Sequence, residues 1–586
     1  MKKYLSILMA LVLVLGMLAG CGQKQEQAPS TPSTPSTPST PSTPSTPSTP
    51  STPSTPATPA TPAEPEGIVI DGETLDKEQY LNVVGSDEPG TLDEFHNSVA
   101  ATGNILSNLF TPLVRNMNGV LTGDGCESWE TSEDGKIWTF HLRDNYWQDG
   151  TPVTAQDYVY SAQMKLKPET AFPYAGNWYL IKNGQAINEG KMDATELGVT
   201  APDDKTVVIE TEYVVPTLLN TLTFYPQKQD HYEKWGEKYG TEADTMLSCG
   251  PFIITDWTHN SSITLEKNEK YWDAEHVYLE KVTVYSIAEP TTSDNMLDNG
   301  SVDYLAVADN DYIERFTARE DLVNTRVQLA RTFMWFFNMK DKYFANEKIR
   351  KAITVAFDRD ATVEVLLGGV PIKAKGLYTH VMYEGDYNIR EYDGDLIQAM
   401  VDKYPDPAAL LQEGLNEVDG TKAADWTFKA GFGSTGSKMK EQAEYWQDTM
   451  IKKLGIKGVE LSFDDYAIAM DGWQTGAFQV ACLSWGSTAD TAYMLNLFTT
   501  KSNAIPVHFD NPEFDELVNE LNRTVDPAER MKIVQKGEDI IITENCLVCP
   551  ISYNCNNVFE YKYVRGVDRS PFGNSSYKTI YTVGRP

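Results

Sequence analysis

Cys546, Cys549 and Cys555 form a C-x2-C-x5-C cluster, and thiolates at such spacing are ligands for a soft metal ion. A zinc site also needs a second cysteine pair or nearby histidines, and the seven histidines are scattered. Leu547, Val548 and Ile551 make residues 546–553 read as a buried strand, where side chains three apart point to opposite faces and do not converge on one ion. The expectation is a structural role for these thiols, as small buried hydrophobes or in disulfides, with no metal and no cofactor.

Other chemistry finds as little support. The loop Gly431-Phe432-Gly433-Ser434-Thr435-Gly436-Ser437-Lys438 lies where a phosphate-binding loop would, but Ser437 precedes Lys438. The reverse order is needed for the amine to reach phosphates and the hydroxyl to reach magnesium, so this reads as an ordinary β–α connection. No H-E-x-x-H helix and no G-x-S-x-G elbow is present, and His231 with Glu233 has no histidine four residues away. Asp309-Asn310-Asp311 is a short acidic turn, far from a calcium loop. The expectation is a protein that is not an enzyme.

The elements that would position a site alternate between strand and helix, which implies mixed α/β lobes rather than a repeat array. Trp138, Phe140 and Leu142 alternate with Thr139, His141 and Arg143 in a half-buried strand. Thr154 then reads as an N-cap, with Asp157 at N3 and Tyr158, Ala162 and Met164 on the helix that follows. Strands are expected at 206–212, 262–266 and 281–286. An aromatic strand at 329–338 leads to a helix starting near Asn346. From 426 to 484 the pattern is strand, Gly-rich loop, a long helix capped by Ser437 and closed by Gly455, strand, helix, strand. Helices at 512–523 and 527–543 precede the last strands.

The chain opens with Lys2 and Lys3, an apolar run from Leu5 to Leu18, then small residues, the layout of a secretory signal. The run is short for a span. From Ser30 the sequence repeats Ser-Thr-Pro nine times and Ala-Thr-Pro twice, ending at Pro62. A proline at every third position removes donors and fixes φ, so the segment reads as a polyproline-like stalk reaching roughly 100 Å. Its hydroxyls are candidate O-glycan acceptors.

Residues 1–66 hold three lysines and three glutamates, so the net charge of −34 belongs to residues 67–586. That acidity opposes phosphate backbones and excludes nucleic acid as a partner; it reads as a solvated exterior. About 520 residues remain after the stalk, enough for a large core divided into three or four units.

Residues 129–161 carry Trp129-Glu130, Asp134-Gly135-Lys136, Thr139-Phe140-His141-Leu142-Arg143, Trp147, Asp149-Gly150-Thr151-Pro152-Val153-Thr154-Ala155 and Asp157. This stretch closely resembles the signature of the oligopeptide and dipeptide solute-binding proteins, family 5. Thr91-Leu92-Asp93, Gly250-Pro251-Phe252, Lys267-Asn268, Tyr271-Trp272, Arg350-Lys351-Ala352, Asp358-Arg359 and Asn511-Pro512-Glu513-Phe514-Asp515 extend the resemblance over nearly all of residues 75–586. Leu18-Ala19-Gly20-Cys21 resembles the lipobox of bacterial lipoproteins, which implies cleavage before Cys21 and a diacylglycerol thioether on its sulfur. Acyl chains contribute about 0.8 kcal/mol per buried CH2, so such a lipid would hold the chain on the extracytoplasmic face of the cell membrane without a spanning helix.

The resemblance implies an α/β, two-lobed periplasmic-binding-protein-like fold of the class with an extra domain, its lobes joined by two crossing strands near 330–338 and 545–555. The domains expected are a signal peptide at 1–20, the anchor and stalk at 21–66, lobe one at 67–114, 240–330 and 550–586, an extra subdomain at 115–239, and lobe two at 331–549. It implies capture of a peptide for delivery to an ABC importer's permease and ATPase by hinge closure, by a monomer. Other readings are the same scaffold on a metal chelate, nickel complex or sugar, or a surface receptor or peptidase.

The family's pocket motif, a tryptophan with an amine-pairing aspartate three residues later, falls on Trp485-Gly486-Ser487-Thr488-Ala489-Asp490. Thr488 stands where the acid is expected and supplies no charge. Either Asp490 takes that role or the ligand lacks a free amine there. By the same resemblance Asn97 and Ser98, after His96, belong to the cleft edge of the first lobe, and Tyr174 to a loop facing the ligand from the second. The alternative for Trp485 and Tyr174 is a plain core aromatic.

Overall fold

In the strand Ile137–Leu142, Trp138, Phe140 and Leu142 are buried, while Ile137 and His141 face solvent and Thr139 is half-buried. The period of two seen in the sequence thus lays one apolar face on the core. Strand Cys126–Thr131 pairs with one side of it and Thr206–Glu210 with the other, and Val199–Asp203 completes a four-stranded sheet. The helix Ala155–Leu166 packs on this sheet. Its start is fixed by the Thr154 N–H donating to Asp157 Oδ2 at 2.8 Å, which places a carboxylate on the first turn. The turn before it uses Gly150 at φ +89°, a left-handed conformation open to glycine.

This computed structural model describes residues 67–586 apart from 86–87, 97–99, 118–119, 465, 501, 503–504, 506 and 573–575, and leaves the side chains of 100–101, 437–438 and 466–467 undescribed. The signal, Cys21 and the Ser-Thr-Pro repeat lie outside the described residues, as do Asn97 and Ser98. Among the described residues no helix is long and apolar enough to cross a membrane.

Among the described residues, eleven strands form one large sheet. In chain order its principal strands are β1 (Tyr80–Gly85), β2 (Phe252–Thr258), β3 (Ser262–Lys267), β4 (Lys281–Ser286), β5 (Tyr304–Val307), β6 (Leu322–Phe337), β7 (Thr427–Phe432), β8 (Gly458–Phe463), β9 (Val480–Gly486) and β10 (Val548–Tyr561). Their spatial order is β2-β3-β4-β1-β5-β10-β6-β9-β7-β8. The final long strand therefore sits at the centre. β10 runs antiparallel to both β5 and β6, and β6 runs antiparallel to β9.

Two apolar cores lie along this sheet. One gathers buried residues from Leu81 to Leu322 and again from Phe559 to Ile580, and the other gathers residues from Ala330 to Ile551. β6 is anchored in the first by Leu322 and in the second by Met334 to Phe337, and β10 by Phe559 and Tyr561 in one and Val548 to Ile551 in the other. These are two α/β lobes joined by two crossing strands. Burying Trp335, Phe336 and Phe337 contributes about 1.5–3 kcal/mol each. Between the anchors the β6–β10 register shifts, from Gln328↔Cys555 to Thr332↔Tyr553, and again at Phe333/Met334, where Pro550 joins the ladder. A proline lacks a ladder donor, so a bulge is its natural place. Residues 115–239 carry the four-stranded sheet, yet their buried side chains join the first core.

Two local expectations need correction. The long helix Ser437–Leu454 begins at Ser437, so its N-cap is Gly436; Gly455 closes it in the left-handed conformation at φ +65°. Cys546 is outside the strand it was expected to start, since β10 begins at Val548 and Cys546 has φ +48°. The expectation that its thiol is a buried small group still describes it: Cys126, Cys249, Cys482, Cys546 and Cys549 are free and buried, and Cys555 is free and half-buried.

Candidate functional site

Where β9 ends, its last residue Gly486 leads into the loop Ser487-Thr488-Ala489, which the second lobe presents towards the first. The loop is held in shape by its own hydroxyls and backbone. Ser487 N–H donates to Ala330 O at 2.7 Å, Ser487 Oγ donates to Thr488 O at 2.9 Å, and Thr488 Oγ1 accepts the Asp490 N–H at 3.2 Å. Opposite it stand Ser107 on the helix Ala100–Leu109, Arg115 and Asn116 on the strand Val114–Met117, and Tyr225. Asn220 and Thr221, at the end of a short helix, and Ser570 and Ser576, from the C-terminal segment, complete a cavity of about 250 Å³ between the lobes.

The lining is dominated by hydroxyls and amides. Arg115 reaches it as a buried cation, but its guanidinium donates to Asp124 Oδ2 at 2.6 Å, to Ser107 O at 2.7 Å and to Phe110 O at 3.0 Å. Asp124 in turn accepts from the Tyr271 hydroxyl at 2.7 Å and the Trp272 indole at 2.8 Å. Burial pushes the Tyr225 phenol up to about 12, so it remains a neutral donor or acceptor at any physiological pH.

The residues proposed from the pocket motif are placed differently from one another. Thr488 lines the cavity. Trp485 is half-buried at the end of β9, edge-on to Phe336 with centroids 6.3 Å apart. Tyr174, expected on the second lobe, is 47 % exposed on the first, edge-on to Phe172, because its neighbours Phe172 and Ala175 pack on the first core. Neither Trp485 nor Tyr174 lines the cavity itself.

Asp490 turns away from it. The carboxylate caps the helix Thr491–Asn496 by accepting the Ala492 N–H at 3.1 Å and stands 3.5 Å from the buried Arg530. Arg530 also donates to Glu384 at 2.7 Å. Thr217, on the first lobe, lies close enough to the Asp490 carboxylate to lower its pKa. Burial raises the Asp490 pKa, with Arg530 opposing the shift. His96, beside the cleft-edge segment, is exposed and bonds to Asp93 at 2.8 Å.

Sequence reasoning did not single out Ser107, Arg115, Thr221, Tyr225 or the serines of 570–576. No motif surrounds them; the available signal was the run Ser570-Pro571-Phe572-Gly573-Asn574-Ser575-Ser576, dense in small polar residues before the final strand.

The comparisons agree with this architecture. The profile described as Bacterial extracellular solute-binding proteins, family 5 Middle, matches residues 121–505. The oligopeptide-binding protein OppA of Bacillus subtilis is 29% identical over 512 residues, covering 86% of this chain and 92% of that protein. Among solved structures, the substrate-binding domain of an oligopeptide ABC transporter from Bacillus anthracis aligns at a TM-score of 0.72 and 26% identity, over 87% of this chain and 99% of that one. Listeria monocytogenes OppA bound to peptide aligns at 0.72 and 25% identity, over 87% and 100%. Residues 121–505 are most of the chain, the relatives align along nearly their whole lengths, and the two-lobed sheet is common to them: this protein belongs to the bacterial extracellular solute-binding proteins of family 5.

Proposed function

We propose that this chain is an extracytoplasmic solute-binding protein that captures peptides in the interlobe cavity and delivers them to the permease and ATPase of an ABC importer. The observation that carries the reading is the cavity itself, a hydroxyl- and amide-lined space contributed by both lobes and spanned by two strands anchored in both cores. Neutral donors and acceptors suit a peptide backbone, whose N–H and C=O groups repeat whatever the side chains are. Lobes joined by two strands close about a hinge, and the register shift at Gln328–Thr332 supplies one between the anchored ends. Thr488 contacts the ligand directly in this reading. Trp485, Tyr174, Asn97 and Ser98 enter this reading as ligand contacts from the family resemblance, and Asp490 caps the helix that follows Thr488. No catalytic step is assigned to the site.

Cys21 carries the lipid that keeps the capture domain at the membrane, with the Ser-Thr-Pro repeat as its tether, and the chain acts as a monomer. The support is the Leu18-Ala19-Gly20-Cys21 sequence after a charged and then apolar leader. Replacing Cys21 with alanine in the expressing cell should release the protein from the detergent-rich phase to the aqueous phase.

Calorimetry of the purified protein with a mixed tri- to hexapeptide pool tests the function. Saturable heat with about one site per chain is expected. No heat from any peptide, beside a clear signal from a sugar or a metal chelate, would reject the peptide reading.

A further inference from the structure

The cavity holds no unpaired charge among its described lining residues. Arg115 is the single ionic side chain that reaches it, and Asp124 neutralises that guanidinium at 2.6 Å inside the first lobe. Besides Asp124, Glu94 and Asp490 are carboxylates near the lining that are already matched. Glu94, near enough to act on the Tyr225 phenol, is buried against Lys165 at 3.0 Å and accepts from Ser161 at 2.9 Å. Asp490, two residues past Thr488, is committed to Ala492 N–H and Arg530.

A charged peptide terminus seated here would lose its hydration, an ammonium meeting no lining carboxylate and a carboxylate meeting only a guanidinium already neutralised by Asp124. An ammonium would face hydroxyls and the guanidinium of Arg115; a carboxylate would find that guanidinium already carrying three hydrogen bonds. A buried ion without a partner is costly, whereas a buried amide that finds hydroxyl and carboxamide partners is not. The volume adds to this. About 250 Å³ is below the usual range of roughly 300–1,000 Å³ for a site that encloses a whole ligand, so the cavity takes one end of a peptide.

We propose that this cavity receives an uncharged peptide end, a terminus whose charge has been removed by an N-acyl cap, by cyclisation or by C-terminal amidation. This rests on the peptide reading above and names the substrate class within it. Selectivity then comes from the cost of burying a terminal charge, not from an ion pair made with it.

The test uses one degenerate pentapeptide pool prepared in four forms: both ends free, acetylated only, amidated only, and capped at both. Each is titrated into the purified protein at pH 6.5 by calorimetry, with native mass spectrometry to identify retained species. At least one singly capped form should bind ten-fold or more tightly than the doubly free form, and which cap does so identifies the seated end. A doubly free pool that binds as tightly as both singly capped pools would overturn the inference while leaving peptide capture standing. Absence of binding by all four pools would reject peptide capture itself, and the inference with it.

Discussion

Asp490 and Arg530 meet at 3.5 Å between the start of the helix Thr491–Asn496 and the first turn of the helix Pro527–Asp539, and Glu384 shares the same guanidinium at 2.7 Å. Arg530 is 1% exposed, so it is the cation on which two buried carboxylates depend. Arg530→Met should cost about 3–5 kcal/mol, because the carboxylates are left buried and unpaired. Asp490→Asn should cost about 1 kcal/mol or less, since asparagine caps a helix as well as aspartate does and Arg530 keeps Glu384. Urea denaturation of both variants at pH 7 measures the contrast, and equal losses would show Asp490 to be the principal partner.

Glu538 sets a pH dependence. Burial pushes its carboxyl up to about 7, although Arg390 and the Leu377 N–H pull the other way. Between its ordinary value of 4.5 and about 7, the folded chain holds a proton there that the unfolded chain has lost. The resulting stabilisation is complete below pH 4.5 and lost as pH rises through 7, up to about 3 kcal/mol. Glu538→Gln should flatten the slope of unfolding free energy against pH in that window, whatever it does to the absolute stability.

Burial pushes the thiols of Cys546 and Cys549 up to about 11 and about 12, where almost no thiolate exists at neutral pH. In the native protein a thiol-specific reagent should label Cys555 at a measurable rate and leave Cys126, Cys249, Cys482, Cys546 and Cys549 unmodified until denaturant is added. A reducing agent should not shift the melting temperature. A fall on reduction would mean that a disulfide links two of them.

Thr217 and Asp490 belong to different lobes and are near each other only when the lobes are together. Thr217→Val removes the hydroxyl at nearly constant volume. Losing a polar neighbour of this kind costs about 1 kcal/mol or less, so the peptide off-rate should rise by roughly two- to five-fold with the on-rate little changed. Stopped-flow intrinsic tryptophan fluorescence measures both.

The local elements were legible because their causes are local. Period-two burial at Ile137–Leu142, the Thr154/Asp157 start of the helix Ala155–Leu166, and Pro512 opening the helix Pro512–Arg523 all follow from neighbours in sequence. The fold class followed from family resemblance, and the comparisons and the two-lobed sheet agree with it. The cavity was less legible. Ser107, Tyr225 and Ser576 have no local reason to meet; the sheet brings them together across more than 450 residues. Asp490 shows the opposite limit, since its spacing after Trp485 pointed to a ligand while its partner Arg530, forty residues on, could not be seen from the motif. The start of the helix at Ser437 was misjudged by one residue because Gly436 caps it through its extended backbone, without a side chain to signal the role.

The position of β10 bears on how such a chain matures. Tyr304 of the first lobe pairs with Glu560, and Glu560 pairs with Val323, so the middle of the sheet stays vacant until residues 548–561 arrive. Strand pairing over separations of more than two hundred residues is slow to nucleate. A polypeptide built this way cannot seal its central ladder until residues 548–561 have been made and brought back between strands laid down far earlier. Until then the two halves of the sheet have nothing to hold them in register, and the chain stays pliable.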